Sequence, residues 1–323
     1  MRVRNLFTLG AVGVASAALF AQTPDVPDWQ TAAGGEMAFD VASVRLAKSP
    51  RLPVFPLNNG DAKPPGGRFF ASFSLSAYIT FAYKVDLSQW KDVGAQLPKW
   101  ANEDYAIDAE ADGNPTKDQM RLMMQSLLAD RFKLKVHFES KEVPVLAVIL
   151  ANPGKLGPKL HPHSEGPPCP DSFEMPKFPS AASPAPLPNP KAGGQWPAQC
   201  GTSAEVLGTA NGLWIGSRNT TMALLAGDIN AYGSTAGELD KPVIDQTGLK
   251  GTFDFLLELP AGTISFFPKP PNANQPNADG AASEPKGTPF LNAVREQLGL
   301  KLVHSRGEIR TLVIDHVEKP TEN

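Results

Sequence analysis

Cysteine is almost missing from this chain: Cys169 and Cys200 are the only two in 323 residues, too few for a Cys-built metal ribbon or cluster scaffold. Histidine is nearly as scarce, at five, and none falls in an HExxH pair, which removes the zincin route to peptide hydrolysis. No serine sits in a GxSxG elbow, so the strained strand-to-helix turn that exposes a hydrolase nucleophile is absent. Glycine-rich phosphate loops are missing too, since Gly193-Gly194 lies in a proline-rich run with no strand before it and no helix after it. Lysine and arginine form no dense run and the formal net charge is −3, which argues against nucleic acid as a partner. Long apolar runs are limited to Leu6–Ala21, too short to cross a bilayer.

What is present begins with that run. Arg2 and Arg4 precede it and Thr23-Pro24 closes it, the plan of a secretory signal over residues 1–21 with cleavage near Ala21. The expected location is therefore periplasmic or extracellular, with no membrane span after cleavage. In that oxidising compartment an even cysteine count predicts a Cys169–Cys200 disulfide. Closing a loop of about 30 residues this way stabilises by roughly 3–4 kcal/mol in the chain-entropy picture.

The best-patterned stretch is Thr116–Leu150. Thr116 with Gln119 is a capping box, and Met120, Met123, Met124, Leu127 and Leu128 share one helical stripe, with Lys117, Arg121, Gln125 and Asp130 mainly off it. After Arg131 the period drops to two, with Leu134, Val136 and Phe138 alternating against Lys135, His137 and Glu139. Ser140–Glu142 then reads as a polar turn and Val143–Leu150 as a buried strand, closing a hairpin.

Proline, at 32 residues, is concentrated between Pro158 and Pro197 and again between Pro268 and Pro289, marking irregular excursions. The patterned segments outside them match one another. Gly67–Phe73 followed by Ser74 and the helix Leu75–Tyr83 parallels Gly212–Arg218 followed by Asn219 and the helix Thr220–Ile229. Tyr105–Asp108 parallels Thr252–Asp254, and Leu134, Val136, Glu142, Val143 and Leu146 parallel Leu300, Leu302, Glu308, Ile309 and Leu312, after a helix opened by Thr288-Pro289. The expected architecture is α+β: two tandem similar repeats, each strand-helix-strand-helix-strand-strand, with mainly antiparallel sheets and helices on one face. Their expected bounds are 36–155 and 206–323. A disulfide-closed excursion at 156–205 separates them, and a second insert lies at about 261–288. Phe39–Arg45 supplies an extra strand before the first repeat.

The segments FDVASVR at 39–45, LLADRFKLKVHFESKEVPVLAV at 127–148, WIGSRNTTMALLA at 214–226, KPVIDQTGLKGTFDFLLEL at 241–259 and LVIDHVEKP at 312–320 together resemble a soil-associated secreted family of unknown function expanded in acidobacteria. The resemblance implies export and fold. It implies no activity, although similar domains joined to antirepressor-type membrane metallopeptidases point toward sensing. The helix-then-hairpin close is also similar in plan to the short signalling domains of secretins and outer-membrane receptors.

Candidate chemistry is thin. His161 and His163 could join Cys169 and Cys200 as metal ligands, but that spacing is no zinc pattern. His137, His304 and His316 sit on alternating strands, where a solvated histidine is the ordinary outcome, and no positioned nucleophile accompanies them. Asp245 and Asp254 flank the Gly248–Gly251 turn as a carboxylate pair of the glycosidase kind or, more simply, as turn caps. The expected function is a non-enzymatic exported module binding a peptide or an envelope protein, with no cofactor, no metal and no catalytic residue. The alternative is a secreted hydrolase whose Asp254, His304 or His316 converge between the repeats.

Overall fold

Two strands of unusual length tie this chain together. The computed structural model describes residues 27–86, 89–165, 168–173, 199–207, 213–260, 263 and 289–320. The signal run, Gly193-Gly194, Thr288 and most of both proline-rich segments lie outside them. In chain order the elements are α1 (Asp28–Ala32), β1 (Val41–Leu46), β2 (Arg68–Ser74), α2 (Leu75–Ala82), α3 (Trp90–Ala95), β3 (Asp104–Glu110), α4 (Lys117–Arg131), β4 (Lys135–Leu150) and β5 (Leu160–Pro162). They continue with β6 (Ala204–Leu207), β7 (Leu213–Thr221), α5 (Met222–Thr235), β8 (Val243–Asp245), β9 (Thr252–Leu259), α6 (Pro289–Ala293), a π turn Val294–Leu298, and β10 (Leu300–His316). The fold is α+β with antiparallel pairing dominant, as the alternating periods and short joins predict.

A first core forms on the antiparallel sheet β1-β3-β2. Phe55, Phe69, Tyr78, Phe81, Tyr105 and Phe132 are fully or almost fully buried there, with the apolar stripe of α4 against them. Each such ring stabilises by about 1.5–3 kcal/mol on leaving water. Burial also raises the Tyr78 phenol, whose hydroxyl donates to the Tyr105 carbonyl at 2.7 Å and accepts from the Phe73 amide at 3.2 Å. Helix α4 begins with the expected capping box: the Gln119 amide donates to Thr116 Oγ1 at 3.2 Å and the Thr116 amide to Gln119 Oε1 at 2.8 Å.

A second core lies on the sheet β5-β9-β7-β6. Phe253, Phe255, Leu257 and Leu259 alternate inward from β9 and meet Leu225 and Ile229 of α5 and Phe290, Val294 and Leu298 of the last helical segment.

The third sheet, β10-β4-β8, joins the two cores. Strands β4 and β10 pair antiparallel from Leu300↔Leu150 through Arg306↔Pro144 to His316↔Lys135. One end, with Leu134, Val136, Phe138, Leu312 and Ile314, packs into the first core. The other, with Leu146, Val148, Leu300 and Leu302, packs into the second.

This ladder overturns the expected hairpin. Ser140–Glu142 makes no turn and lies within one continuous strand of 16 residues. The segment is polar because the middle of the ribbon faces solvent, where Arg306 Nε meets Glu142 Oε1 at 2.7 Å. It pairs residue by residue with Glu308–Arg310 of β10, and it carries no Gly or Asn to reverse the chain.

Helix α5 also departs from expectation. Its N-cap is Thr221, whose Oγ1 accepts from the Leu224 amide at 3.2 Å, and not Asn219. Asn219 occupies a left-handed conformation at φ 53° inside β7. The strand pairing slips there, with Ser217 opposite Phe255 and Thr220 opposite Phe253. Arg218 and Asn219 therefore form a bulge facing Asp254 alone.

Candidate functional site

The β7 bulge builds one candidate site. Strand β5 pairs with β9, setting His161 opposite Asp254, and the chain then turns so that His163 reaches back over the sheet. Asp254 Oδ1 accepts from the Asn219 amide at 2.9 Å and faces His163 Nδ1 at 2.7 Å, while Arg218 Nε lies 3.6 Å from Oδ2. A carboxylate on Nδ1 fixes that nitrogen as the protonated one and turns Nε2 outward. What Nε2 meets is Cys169 Sγ, at 3.7 Å. Cys169 is joined to Cys200 with Cα atoms 5.9 Å apart. Both His163 and Asp254 are largely shielded, at 17% and 18% side-chain exposure, so their contact is screened less than a surface ion pair.

Asp254 is thus not a turn cap. It stands past the Gly251 turn on the outward face of β9, where the bulge supplies its donors. Asp245 does act as a turn cap, accepting from the Thr247 amide at 2.9 Å and its hydroxyl at 2.7 Å. The two carboxylates serve different structures and form no glycosidase pair. The other histidines bond elsewhere. His137 Nδ1 sits 2.9 Å from Asp315, and that hydrogen bond raises its pKa. His316 Nε2 sits 2.8 Å from Glu318, and His304 is exposed on β10 near Asp240. The expected meeting of Asp254 with His304 or His316 does not occur, because strand pairing gives each a different neighbour. His161 is exposed and stands apart from the His163 contact with sulfur. Among the described residues no group of three or more His, Cys, Asp and Glu side chains has the arrangement of a metal site.

A second candidate is a cleft of 260 Å³ between α1, the end of α2 and the ribbon, lined by Trp29, Tyr83, Lys84, Asp86, Phe138 and Arg310 among others. Phe138 pairs with Leu312, so Arg310 is its diagonal neighbour across the strands and its guanidinium lies 4.0 Å from the Phe138 ring centre. Tyr83 meets Phe138 edge to face at 6.4 Å, and burial pushes its phenol up to about 12. Lys84 Nζ lies 4.9 Å from the Trp29 ring centre while pairing with Asp118 at 2.8 Å. Sequence reasoning missed this cleft. Its walls come from four separated segments, and only Phe138, half-buried on an alternating strand, offered any local signal.

A third polar cluster is structural. Arg121 is fully buried and donates to the carbonyls of Asn58 at 3.0 Å and Gly60 at 2.9 Å while contacting Asp118. Lys117 is buried one turn earlier and donates to Asn58 Oδ1 at 2.9 Å. Burial and the neighbouring Arg121 charge push the Lys117 amine well below the ordinary lysine range. This cluster fastens the 58–62 loop to α4.

No helix among the described residues is long and apolar enough to cross a membrane. No curated protein and no solved structure matches the chain. A family model does match, over residues 76–317, and these span α2 to β10 and both candidate sites except Pro27 and Trp29. On that match the chain belongs to the family described as protein of unknown function (DUF3738).

Proposed function

We propose that the protein is an exported binding module whose cleft takes a short peptide carrying an aromatic or aliphatic side chain next to a carboxylate, from a peptide or an envelope protein. The observation that carries this reading is the arrangement of Arg310 on Phe138 and Lys84 on Trp29, which brings two cations to an aromatic-walled recess. Aromatic walls accept an apolar side chain with little reordering, and a guanidinium is a planar partner that matches the geometry of a carboxylate. Export is supported by the basic start, the short apolar run that follows and the disulfide.

The test is a titration of tryptophan fluorescence with blocked tetrapeptides centred on Phe-Asp or Phe-Lys, with Trp29→Phe to identify the responding residue. The Phe-Asp peptide is expected to bind and the Phe-Lys peptide to bind weakly. Arg310→Ala should lower affinity for the acidic peptide by about tenfold or more, the value of one charged hydrogen bond. Equal binding of both peptides, or an Arg310→Ala variant with unchanged affinity, refutes the assignment.

A further inference from the structure

The His163–Asp254 pair has no role in the cleft, and its Nε2 is directed at one particular sulfur of a disulfide. A disulfide that only staples needs no such neighbour. Departure of a thiol from a disulfide is faster when its thiolate is stabilised, and a protonated imidazole on the sulfur does that. Here the imidazole is held from behind by Asp254, which is itself fixed by the Asn219 amide and flanked by Arg218. The two sulfurs differ in setting. Cys200 is bridged to the rigid β7 strand at Arg218, whereas Cys169 sits beside His163 in a Pro-Cys-Pro segment. Both cysteines are only partly buried.

We propose that Cys169–Cys200 is a thiol–disulfide exchange site with a fixed polarity, in which Cys200 is attacked and Cys169 leaves. An incoming thiolate of a cellular dithiol bonds to Cys200 Sγ and the S–S bond breaks. The bonding pair stays on Cys169 as a thiolate, and the proton lost by the attacking thiol is taken up at His163 Nε2, which faces Cys169 Sγ, and passed to that thiolate. The second thiol of the dithiol then displaces Cys200. The dithiol is oxidised to a disulfide, and the protein gains two thiols together with the two electrons and two protons. Asp254 is a positioning residue here, because it holds the imidazole ring and does not touch sulfur.

The experiment uses the oxidised full-length chain with glutathione in limiting amount, acid quenching, alkylation and peptide mass mapping of the mixed disulfide. Glutathione is expected on Cys200 with Cys169 alkylated. His163→Gln should slow reduction on the order of tenfold and spread glutathione over both cysteines, a change of regiochemistry that a merely structural histidine would not produce. Glutathione on Cys169, equal labelling of both cysteines in the unmodified protein, or a disulfide that glutathione does not open overturns the proposal. So does a His163→Gln rate within twofold of the parent. The mapping on the unmodified protein stands whether or not the variant folds.

Discussion

Lys117 and Arg121 lie one helical turn apart, both are buried, and replacing each by methionine should move stability in opposite directions. Arg121→Met keeps most of the side-chain volume but leaves the Asn58 and Gly60 carbonyls without their donor in a dry setting. Each orphaned group costs about 1–3 kcal/mol, so a loss of roughly 3 kcal/mol is expected after partial relaxation. Lys117→Met removes an amine whose charge is disfavoured where it sits, and it orphans nothing, because Asn58 Oδ1 still accepts from the Gly60 amide at 3.1 Å. Replacing a poorly compensated buried cation by an apolar group of similar volume is neutral or stabilising, here by about 0–2 kcal/mol. The pH response separates the two variants further. Between the lowered native pKa of Lys117 and the ordinary value of 10.5, the unfolded chain holds a proton that the folded chain lacks. Stability of the parent protein therefore rises with pH through that window, by at most about 1.4 kcal/mol per pH unit from this group. Lys117→Met should lose that rise, and Arg121→Met should keep a smaller one, because burial still lowers the Lys117 amine after the neighbouring charge is gone. Urea denaturation followed by circular dichroism at pH 7 and pH 9, with the disulfide intact, reads both quantities, provided the m-value is unchanged. A Lys117→Met loss of 2 kcal/mol or more, or an alkaline slope identical to the parent's, refutes the reasoning.

Two further outcomes follow from backbone geometry. Gly299 ends the last helical segment at φ 70°, and a Cβ there would stand 2.4 Å from the Gly157 backbone nitrogen, which donates to the Leu298 carbonyl. Gly299→Ala should cost at least about 2 kcal/mol by combining left-handed strain with that clash, and a melting temperature equal to the parent's would show that the contact yields. Thr116→Ala removes one half of the α4 capping box and should cost about 1 kcal/mol. Amide exchange in the first turn of α4 should rise with it, and unchanged protection of Gln119 would sink this expectation.

The α+β class was legible because periods of 3.6 and 2 follow one another wherever apolar residues occur, and α4 was legible down to its cap because Thr116 and Gln119 are three residues apart. Contacts between distant segments were not. Ser140–Glu142 reads as a turn until its partner Glu308–Arg310 is known, since a polar interruption looks the same whether the chain reverses or crosses open solvent. Lys117 and Arg121 lie off the apolar stripe of α4, and nothing within reach of a helix pattern reveals that the 58–62 loop covers them. Asp254 was singled out, but against His304 and His316 on the wrong strand. The useful signal was the mismatch between β7 and β9, where two residues answer one, and that becomes visible only once the register is known.

The β4–β10 ribbon also sets a schedule for synthesis. Leu150 pairs with Leu300 and Lys135 with His316, so β4 leaves the ribosome about 150 residues before its partner, an interval on the order of ten to thirty seconds at ordinary elongation rates. Until Val243–Asp245 is made both edges of the apolar Val145–Leu150 segment are unsatisfied, and one stays so until β10 follows, the kind of segment that pairs with another chain if it meets one. When β10 arrives, a slip of one residue would turn its apolar side chains away from both cores together. Each core therefore proofreads the register of the other, and the last strand made is the one that commits the whole chain.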